Sequence, residues 1–577
     1  MSASKTRQRL LAARPVRASA EELGAIARPL PEDCPVIPLG MAQGPIPTAV
    51  YLSGSGVLSQ LSGQAHGQGN LEGLFAPRNQ FLWQHWPRKN KKGEVDGFKT
   101  ELVRADLMAA AGQRDIWNEM DRVRGRGAWL AEDGGLLLHL GDRLLHNGQI
   151  KPWGEHGGMV YPAGAAMLGP APEPQPDGLS GPAAEVLAML RTWNWRHGDV
   201  AARVMLGWIC AAMIGGALKW RPAVWPTGGT GTGKSTLITA VKHMLGPQGA
   251  LATAQTTEAG VRQVLGFQSI PTLLDELEAD EMQPEKIQKL IAMIRVASSG
   301  AVATRGGSDH TARQFTIMTA PMATSIMVPP LPSQDRTRIA VLELRTLTGE
   351  TAKPDLAVAR LQLLGQRLLR RLVDGWGEFG ERLTTWRAQL HAHMQMDDRA
   401  QDQWGTLLAC ADLALHDQAP DGELLDEWIG PGMREMLAEM QADDETDWRR
   451  ALDHLLTATA DSYRGGDRLT VGELVARAAG MRPADDGDEA QRALNGLGLR
   501  VDFTNQVWWL GVANQHQALG RIYQHSIWAG RSNTTGGWRQ VLMRVPGAKV
   551  PANALRFGSG HQQRGVFVPL LTALNAA

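Results

Sequence analysis

The sequence predicts an α/β core built on a parallel sheet, flanked by an N-terminal α+β domain, a helical region and a small C-terminal mixed α/β domain. Three observations predict it. A glycine-rich loop, GGTGTGKS at 228–235, lies between a short apolar run, RPAVW, and a helical pattern, STLITAVKHMLG. From about 220 to 346, short apolar runs alternate with helical patterns, as the strands and crossover helices of a parallel sheet do. From 354 to 465 the apolar spacing is helical almost throughout, as in AVARLQLLGQRLLRRLV.

The remaining elements follow in chain order. Residues 1–34 read as a basic lead-in, MSASKTRQRLLAARPVR at its start. Residues 35–167 place short apolar runs between glycines, as in AVYLSGSGVLSQL and GGLLLHLGDRLLHNGQ, beside a helical TELVRADLMAAAG. That mixture predicts strands and hairpins joined to helices. The stretch 168–182, LGPAPEPQPDGLSGP, is rich in proline and glycine and reads as a linker. Residues 183–346 then hold a helical segment and the α/β core, 347–465 the helical region, and 466–577 the mixed domain with VWWLGVA and GVFVPLL. Trp508 and Trp509 in that domain read as packed core side chains, with base stacking as the alternative.

Composition narrows the function classes. Among 577 residues, 43% are hydrophobic, so most of the chain can fold into several cores. Lys+Arg and Asp+Glu both number 59, so any nucleic-acid surface must be a local patch. Two basic stretches containing aromatics, WPRKNKKGEVDGFK and RVRGRGAW, read as solvated loops, with single-strand binding as the alternative. The three scattered cysteines, Cys34, Cys210 and Cys410, exclude a disulfide framework and fit a reducing cytoplasm. No signal peptide and no apolar run of about 20 residues is found, so no membrane partner is expected.

The loop carries the clearest chemistry. Gly228, Gly229, Thr230, Gly231, Thr232, Gly233, Lys234 and Ser235 satisfy G-x-x-x-x-G-K-[ST], and Thr236 follows in the helix. Glycines let successive N–H groups turn inward around phosphate oxygens. Lys234 puts a cation on the β/γ phosphates, and the Ser235 hydroxyl can ligate Mg²⁺. The expected ligands are therefore ATP and Mg²⁺. In SIPTLLDELEAD, 269–280, a strand ending at Leu274 presents Asp275 and Glu276 at its carboxyl edge. Asp275 is expected to hold the magnesium, and Glu276 to deprotonate the attacking water. Two further segments complete the pattern: ARQFTIMTAPMATSIMVPP, a strand with Thr324 and Ser325 at its tip, and LPSQDRTRIAVLEL, with Arg336 and Arg338 before a final strand.

Together GGTGTGKS, LLDE, the polar-tipped strand and DRTR resemble superfamily 3 helicases of the AAA+ class. More closely they resemble the helicase half of phage and prophage primase-helicases, related to the poxvirus-type enzymes. Residues 206–346 carry the resemblance. It implies a hexameric ring around single-stranded or forked DNA in a bacterial host cytoplasm, with ATP sites between subunits and possible replication proteins as partners. It also implies that Thr324 or Ser325 senses the γ-phosphate, and that Arg336 or Arg338 reaches a neighbour's γ-phosphate. The family usually ends the sensor strand with asparagine, and none occurs between 301 and 345. Residues 35–165 show neither a hydrophobic-D-x-D strand nor zinc-ligand spacing, so no priming activity is expected. Within SSGAVATRGGSDHTARQF, a hairpin tip at Gly306-Gly307 near Arg305, His310 and Arg313 fits the family's pore loop. Two rival readings stand beside the motor: an ATP-switched scaffold or loader that does not unwind, and a P-loop kinase or GTPase, for which no guanine-binding N/T-K-x-D signature is found.

Overall fold

The computed structural model describes residues 28–574 except 255, 279–283, 307–311, 330, 332, 348–352, 443–445, 461–468, 483–486, 525, 527, 530–536 and 559–561. Packing divides the chain into two units, Met1–Val328 with Arg338–Leu425, and Pro329–Thr337 with Asp426–Ala577. Among the described residues, no helix is long and apolar enough to cross a membrane.

The first unit begins with a small α+β part. Strand Ile37–Ala42 pairs antiparallel with Thr48–Leu52 and parallel with Ile116–Trp117. Helix Thr100–Gly112 packs with them through Val103, Leu107 and Ala111. A four-stranded meander follows, Gly127–Leu130, Leu136–His139, Arg143–His146 and Gln149–Pro152. Its last turn is Asn147-Gly148, both in left-handed backbone (φ 49° and 73°), the combination a two-residue hairpin turn requires. The RVRGRGAW arginines are engaged within the fold. Arg122 lies over Trp117 and Arg124 over Trp129, each 5.2 Å from the ring centre, and Arg126 Nε donates to Gln268 Oε1 at 2.8 Å.

The core then runs α1 (Gly198–Met213), β1 (Ala223–Thr227), α2 (Lys234–Leu245), β2 (Leu251–Thr253), α3 (Glu258–Leu265) and β3 (Thr272–Leu274). It continues with α4 (Pro284–Ser299), β4 (Val302–Gly306), β5 (Ala312–Thr316), β6 (Pro321–Ala323) and β7 (Ile339–Glu343). Five of these strands form one sheet in the order β2-β3-β6-β1-β7, with every pair parallel. β1, β3 and β6 are buried along their whole length, which is why their sequences read as continuous apolar runs rather than alternating ones. The α/β class and parallel sheet predicted from the sequence are thus present.

Three helices complete the unit, α5 (Val358–Gly375), α6 (Phe379–Met394) and α7 (Asp398–Leu415). α7 packs on α1 so closely that a Cβ added at Gly207 would stand 2.0 Å from the Leu407 carbonyl oxygen. Gly207→Ala must push the helices apart, and it is expected to cost about 1–3 kcal/mol, as overpacked cores do. Thermal unfolding checks this: a melt identical to the parent's would refute the close approach. α5 meets α2 equally closely at Gly365, against the Met244 carbonyl. The 168–182 stretch, expected as a linker, lies against α5: Ala171 N–H donates to Gln366 O at 2.9 Å and Arg370 to Pro172 O at 2.6 Å.

The second unit has mixed α/β content. Helices Pro431–Ala442, Thr446–Thr457, Val471–Ala478 and Gly487–Gly496 precede an antiparallel sheet of Leu499–Thr504, Val507–Ala513 and Gly565–Pro569. Thr470 and Glu473 form a capping box that starts the third helix. Its core gathers Leu452, Leu474, Leu494, Leu510, Tyr523 and Trp538. The helices expected as one region, 347–465, fall on both sides of the Leu425/Asp426 division.

Candidate functional site

The glycine loop leaves the carboxyl end of β1 and enters α2. Gly233 precedes the helix in left-handed backbone (φ 88°), and a Cβ there would meet Trp193 Nε1 at 2.9 Å. Gly228 (φ 155°) passes the Leu344 carbonyl, where a Cβ would come within 2.3 Å. Both positions need glycine for shape as well as for conformation. At Gly229 and Gly231 an added Cβ would meet nothing within 4 Å, so the loop's rim is open. Such a loop at a helix N-terminus directs unpaired N–H groups toward one point, an arrangement that attracts anions. Lys234 Nζ folds back on its own loop, donating to Gly228 O and, at 3.0 Å, to Gly229 O. Thr232 Oγ1 braces the turn by donating to Gly229 O at 2.9 Å. Ser235 is exposed at the first turn of α2.

The strand order brings the acidic pair beside this loop. β6 lies between β1 and β3, with Val224 opposite Met322 and Leu274 opposite Ala323. The next residues, Asp275 and Thr324, are joined by a hydrogen bond from Thr324 Oγ1 to Asp275 Oδ1 at 2.7 Å. Glu276 follows in left-handed backbone (φ 55°), which costs a non-glycine residue roughly 1 kcal/mol or more. Its N–H holds the turn, donating to Asp275 Oδ1 at 3.1 Å and Thr324 Oγ1 at 3.3 Å, while its side chain is exposed. Thr324 N–H and O are also bound, to Leu274 and Leu277 across the strand ends.

The two hydroxyl residues at this strand tip have different partners. Ser325 is buried, and its Oγ accepts from Trp225 Nε1 at 2.8 Å. Ser325 O accepts from Thr227 Oγ1 at 3.2 Å. Its polar groups therefore stitch β6 to β1, and Thr324 alone touches the acidic pair. Arg338 is likewise occupied: Nη1 donates to Arg295 O at 3.1 Å in α4, and the guanidinium lies 5.5 Å from the Trp220 ring centre. Arg336 ends a one-turn helix, Ser333–Arg336.

Three contacts that shape the core have no signal in the sequence. Trp193 Nε1 donates to Gly233 O at 3.0 Å from forty residues upstream. Glu278 accepts from the Ile326 N–H and so braces the segment after Ser325. Arg221, buried, donates to Ala297 O at 2.7 Å and Ser298 O at 3.3 Å, capping the end of α4. Its burial among carbonyls, with no carboxylate, pulls its pKa down to about 10. After α4 the chain forms the expected hairpin, β4 paired antiparallel with β5. Arg305 stands opposite Arg313 in that register, and Gly306 opposite Ala312. Gly307 and His310 lie outside the described residues.

No protein-family model matches the chain, and no curated protein matches it. Among solved structures it is similar to one titled "SCCmec type IV Cch - active helicase", at 11% identity over 94% of this chain and 95% of that one, with a TM-score of 0.45. It is also similar to two apo structures of the NrS-1 C-terminal region. The A form is 10% identical over 92% and 96% of the two chains at a TM-score of 0.33. The other is 10% identical over 93% and 100% at 0.35.

Proposed function

We propose that this chain is an Mg²⁺-dependent ATPase that assembles as a ring, a hexamer, and moves on or unwinds DNA in the replication of a phage or other mobile element. One observation carries the reading: the glycine loop, Asp275-Glu276 and Thr324 share the carboxyl edge of a single parallel sheet, tied by the Thr324–Asp275 hydrogen bond. Ligands collect at that edge in open α/β sheets. Triphosphate oxygens take the loop N–H groups, and Lys234 exchanges its loop carbonyls for the β/γ phosphates. The Ser235 hydroxyl and Asp275 would hold Mg²⁺, which would supply charge neutralisation at the phosphates. Glu276 orients a water and takes its proton as the oxygen attacks the γ-phosphorus; the bond to the bridging oxygen breaks, giving ADP and phosphate. Thr324, bonded to Asp275, relays the state of the γ-phosphate to β6.

Arg336 acts on the neighbouring subunit's phosphate, and Arg338 stays with α4 and Trp220. The β4–β5 hairpin grips the DNA backbone in the pore. Arg305 and Arg313 occupy facing positions in the backbone register of that hairpin, which supports the reading. Residues 35–167 serve as a collar or as a DNA- or partner-recruiting module.

Lys234→Ala is expected to lower ATP turnover about 100- to 1000-fold, the usual cost of one preorganised charge-stabilising donor. Turnover that persists in this variant would place the active site elsewhere. Strand displacement on forked DNA, with Lys234→Ala as the inactive control, separates a motor from an ATP-switched loader: hydrolysis without displacement would favour the loader.

A further inference from the structure

Trp193 lies in a short extended segment between helix Pro182–Leu190 and α1, and it is 4% exposed. A buried indole N–H needs an acceptor, and this one donates to Gly233 O at 3.0 Å. The segment runs antiparallel beside the end of β7. Trp195 bridges to Leu344, and Arg196 N–H donates to Glu343 O at 2.9 Å. Arg345 N–H donates to Asn194 O at 2.8 Å, and Asn194 Nδ2 donates to Thr346 O at 2.9 Å. The Arg196 guanidinium meets the Glu343 carboxylate at 2.8 Å. The two stretches make one ribbon at the margin of the sheet, where β7 is the outermost strand.

That ribbon touches both ends of the glycine loop. At the start, Leu344 N–H donates to Thr227 O at 2.7 Å, and Gly228 passes the Leu344 carbonyl. At the end, Trp193 holds Gly233. The second contact sets direction as well as position. In a planar trans peptide the N–H points opposite to the C=O, so fixing the Gly233 carbonyl fixes the Lys234 N–H. The first helical bond of α2 runs from Leu237 N–H to Gly233 O at 2.9 Å, which leaves the N–H groups of Lys234, Ser235 and Thr236 without a helical acceptor. These are the groups an anion takes at a helix N-terminus. A glycine hinge leaves the next peptide plane a wide choice of orientation, and the Trp193 bond narrows that choice before any ligand arrives.

We infer that Trp193 is a positioning residue of the proposed nucleotide site, on which this role depends: it clamps the Gly233–Lys234 peptide so that the Lys234 N–H points at the phosphate chain, with the 193–196 and 343–346 ribbon as its support. The test uses the full chain. Calorimetry, well below the melting temperature, measures binding of ATP and of inorganic tripolyphosphate, which has no base or sugar. Trp193→Phe keeps an aromatic ring and removes the donor, and Gly233 O keeps its bond from Leu237, so no carbonyl is orphaned. Both ligands are expected to weaken together about 3- to 10-fold, the range of one hydrogen bond's net contribution. KM for ATP should rise by the same factor while kcat at saturating ATP holds, the signature of lost uniform binding. Asn194→Ala cuts the tie to Thr346 from a half-buried position and leaves the loop's own contacts intact. It should weaken both ligands in the same sense, about 2- to 5-fold, and it decides the matter alone if Trp193→Phe does not fold. A lower melting temperature with both affinities unchanged would make Trp193 a support of the fold only and overturn its positioning role. Weakened ATP with unchanged tripolyphosphate would move the effect to the nucleoside and overturn the peptide clamp. A parent chain that binds neither ligand would overturn the nucleotide site itself, whereas a parent that binds both, matched by both variants, would overturn the Trp193 role alone.

Discussion

Glu276→Gln is expected to bind ATP as the parent does and to release phosphate about 10²–10⁴-fold more slowly, the range that positioned general bases contribute. The substitution keeps side-chain length and hydrogen-bonding shape but removes the group that accepts water's proton. Two features of the fold make it a clean probe. The Glu276 N–H is held by both Asp275 Oδ1 and Thr324 Oγ1, so the backbone is pinned whatever the side chain does. The side chain itself is exposed and packs into no core, so the exchange disturbs no buried contact. The backbone at this residue is left-handed, a conformation that costs a non-glycine residue roughly 1 kcal/mol or more. Binding of a fluorescent ATP analogue and single-turnover phosphate release separate the two effects. Affinity that falls as far as turnover would make Glu276 a binding group, and unaltered turnover would remove it from the chemistry.

What could be read in the sequence was local. Gly228 to Ser235 fix their own loop, and Leu273-Leu274-Asp275-Glu276 announce a strand with carboxylates at its end, so both halves of the candidate site were legible without a fold. The different partners of Thr324 and Ser325 were not. Both are small hydroxyl residues at a strand tip, and what separates them is Trp225 on β1, a hundred positions away, whose Nε1 claims Ser325. Arg338 is a similar case: nothing local shows that its guanidinium lies by Trp220 and donates to an α4 carbonyl. Proline and glycine in 168–182 correctly signalled a lack of regular structure, but composition does not report packing, and α5 supplies partners for that backbone. Helical periodicity across 354–465 identified helices without saying which core each one faces. Trp508 and Trp509, read as core side chains, do pack there, Trp509 buried and Trp508 half-buried against the second unit's core.

Arg336→Ala is expected to reduce turnover about 10³–10⁵-fold, as loss of a transition-state arginine does in other phosphoryl-transfer sites, while ATP binding persists. Arg338→Ala should differ in kind: it removes the tie to α4 and Trp220, lowers thermal stability and reduces turnover far less. The decisive measurement mixes two inactive proteins. If the arginine serves a neighbour, an Arg336→Ala subunit keeps a complete nucleotide cradle that needs only an arginine from outside, and a Lys234→Ala subunit keeps that arginine. Random mixing in equal amounts within a head-to-tail ring would leave about a quarter of the seams with both intact parts. Phosphate release should then return to roughly that fraction of the parental rate, although neither component alone is active. Recovery requires assembly, so it should vanish on dilution below the concentration at which rings form. A mixture as inactive as its components, under conditions where sedimentation shows rings, would mean that each subunit hydrolyses with its own residues. The geometry of the sheet edge would still define a nucleotide site, but the chemistry would no longer join one subunit to the next, and movement along DNA would need another source of coordination.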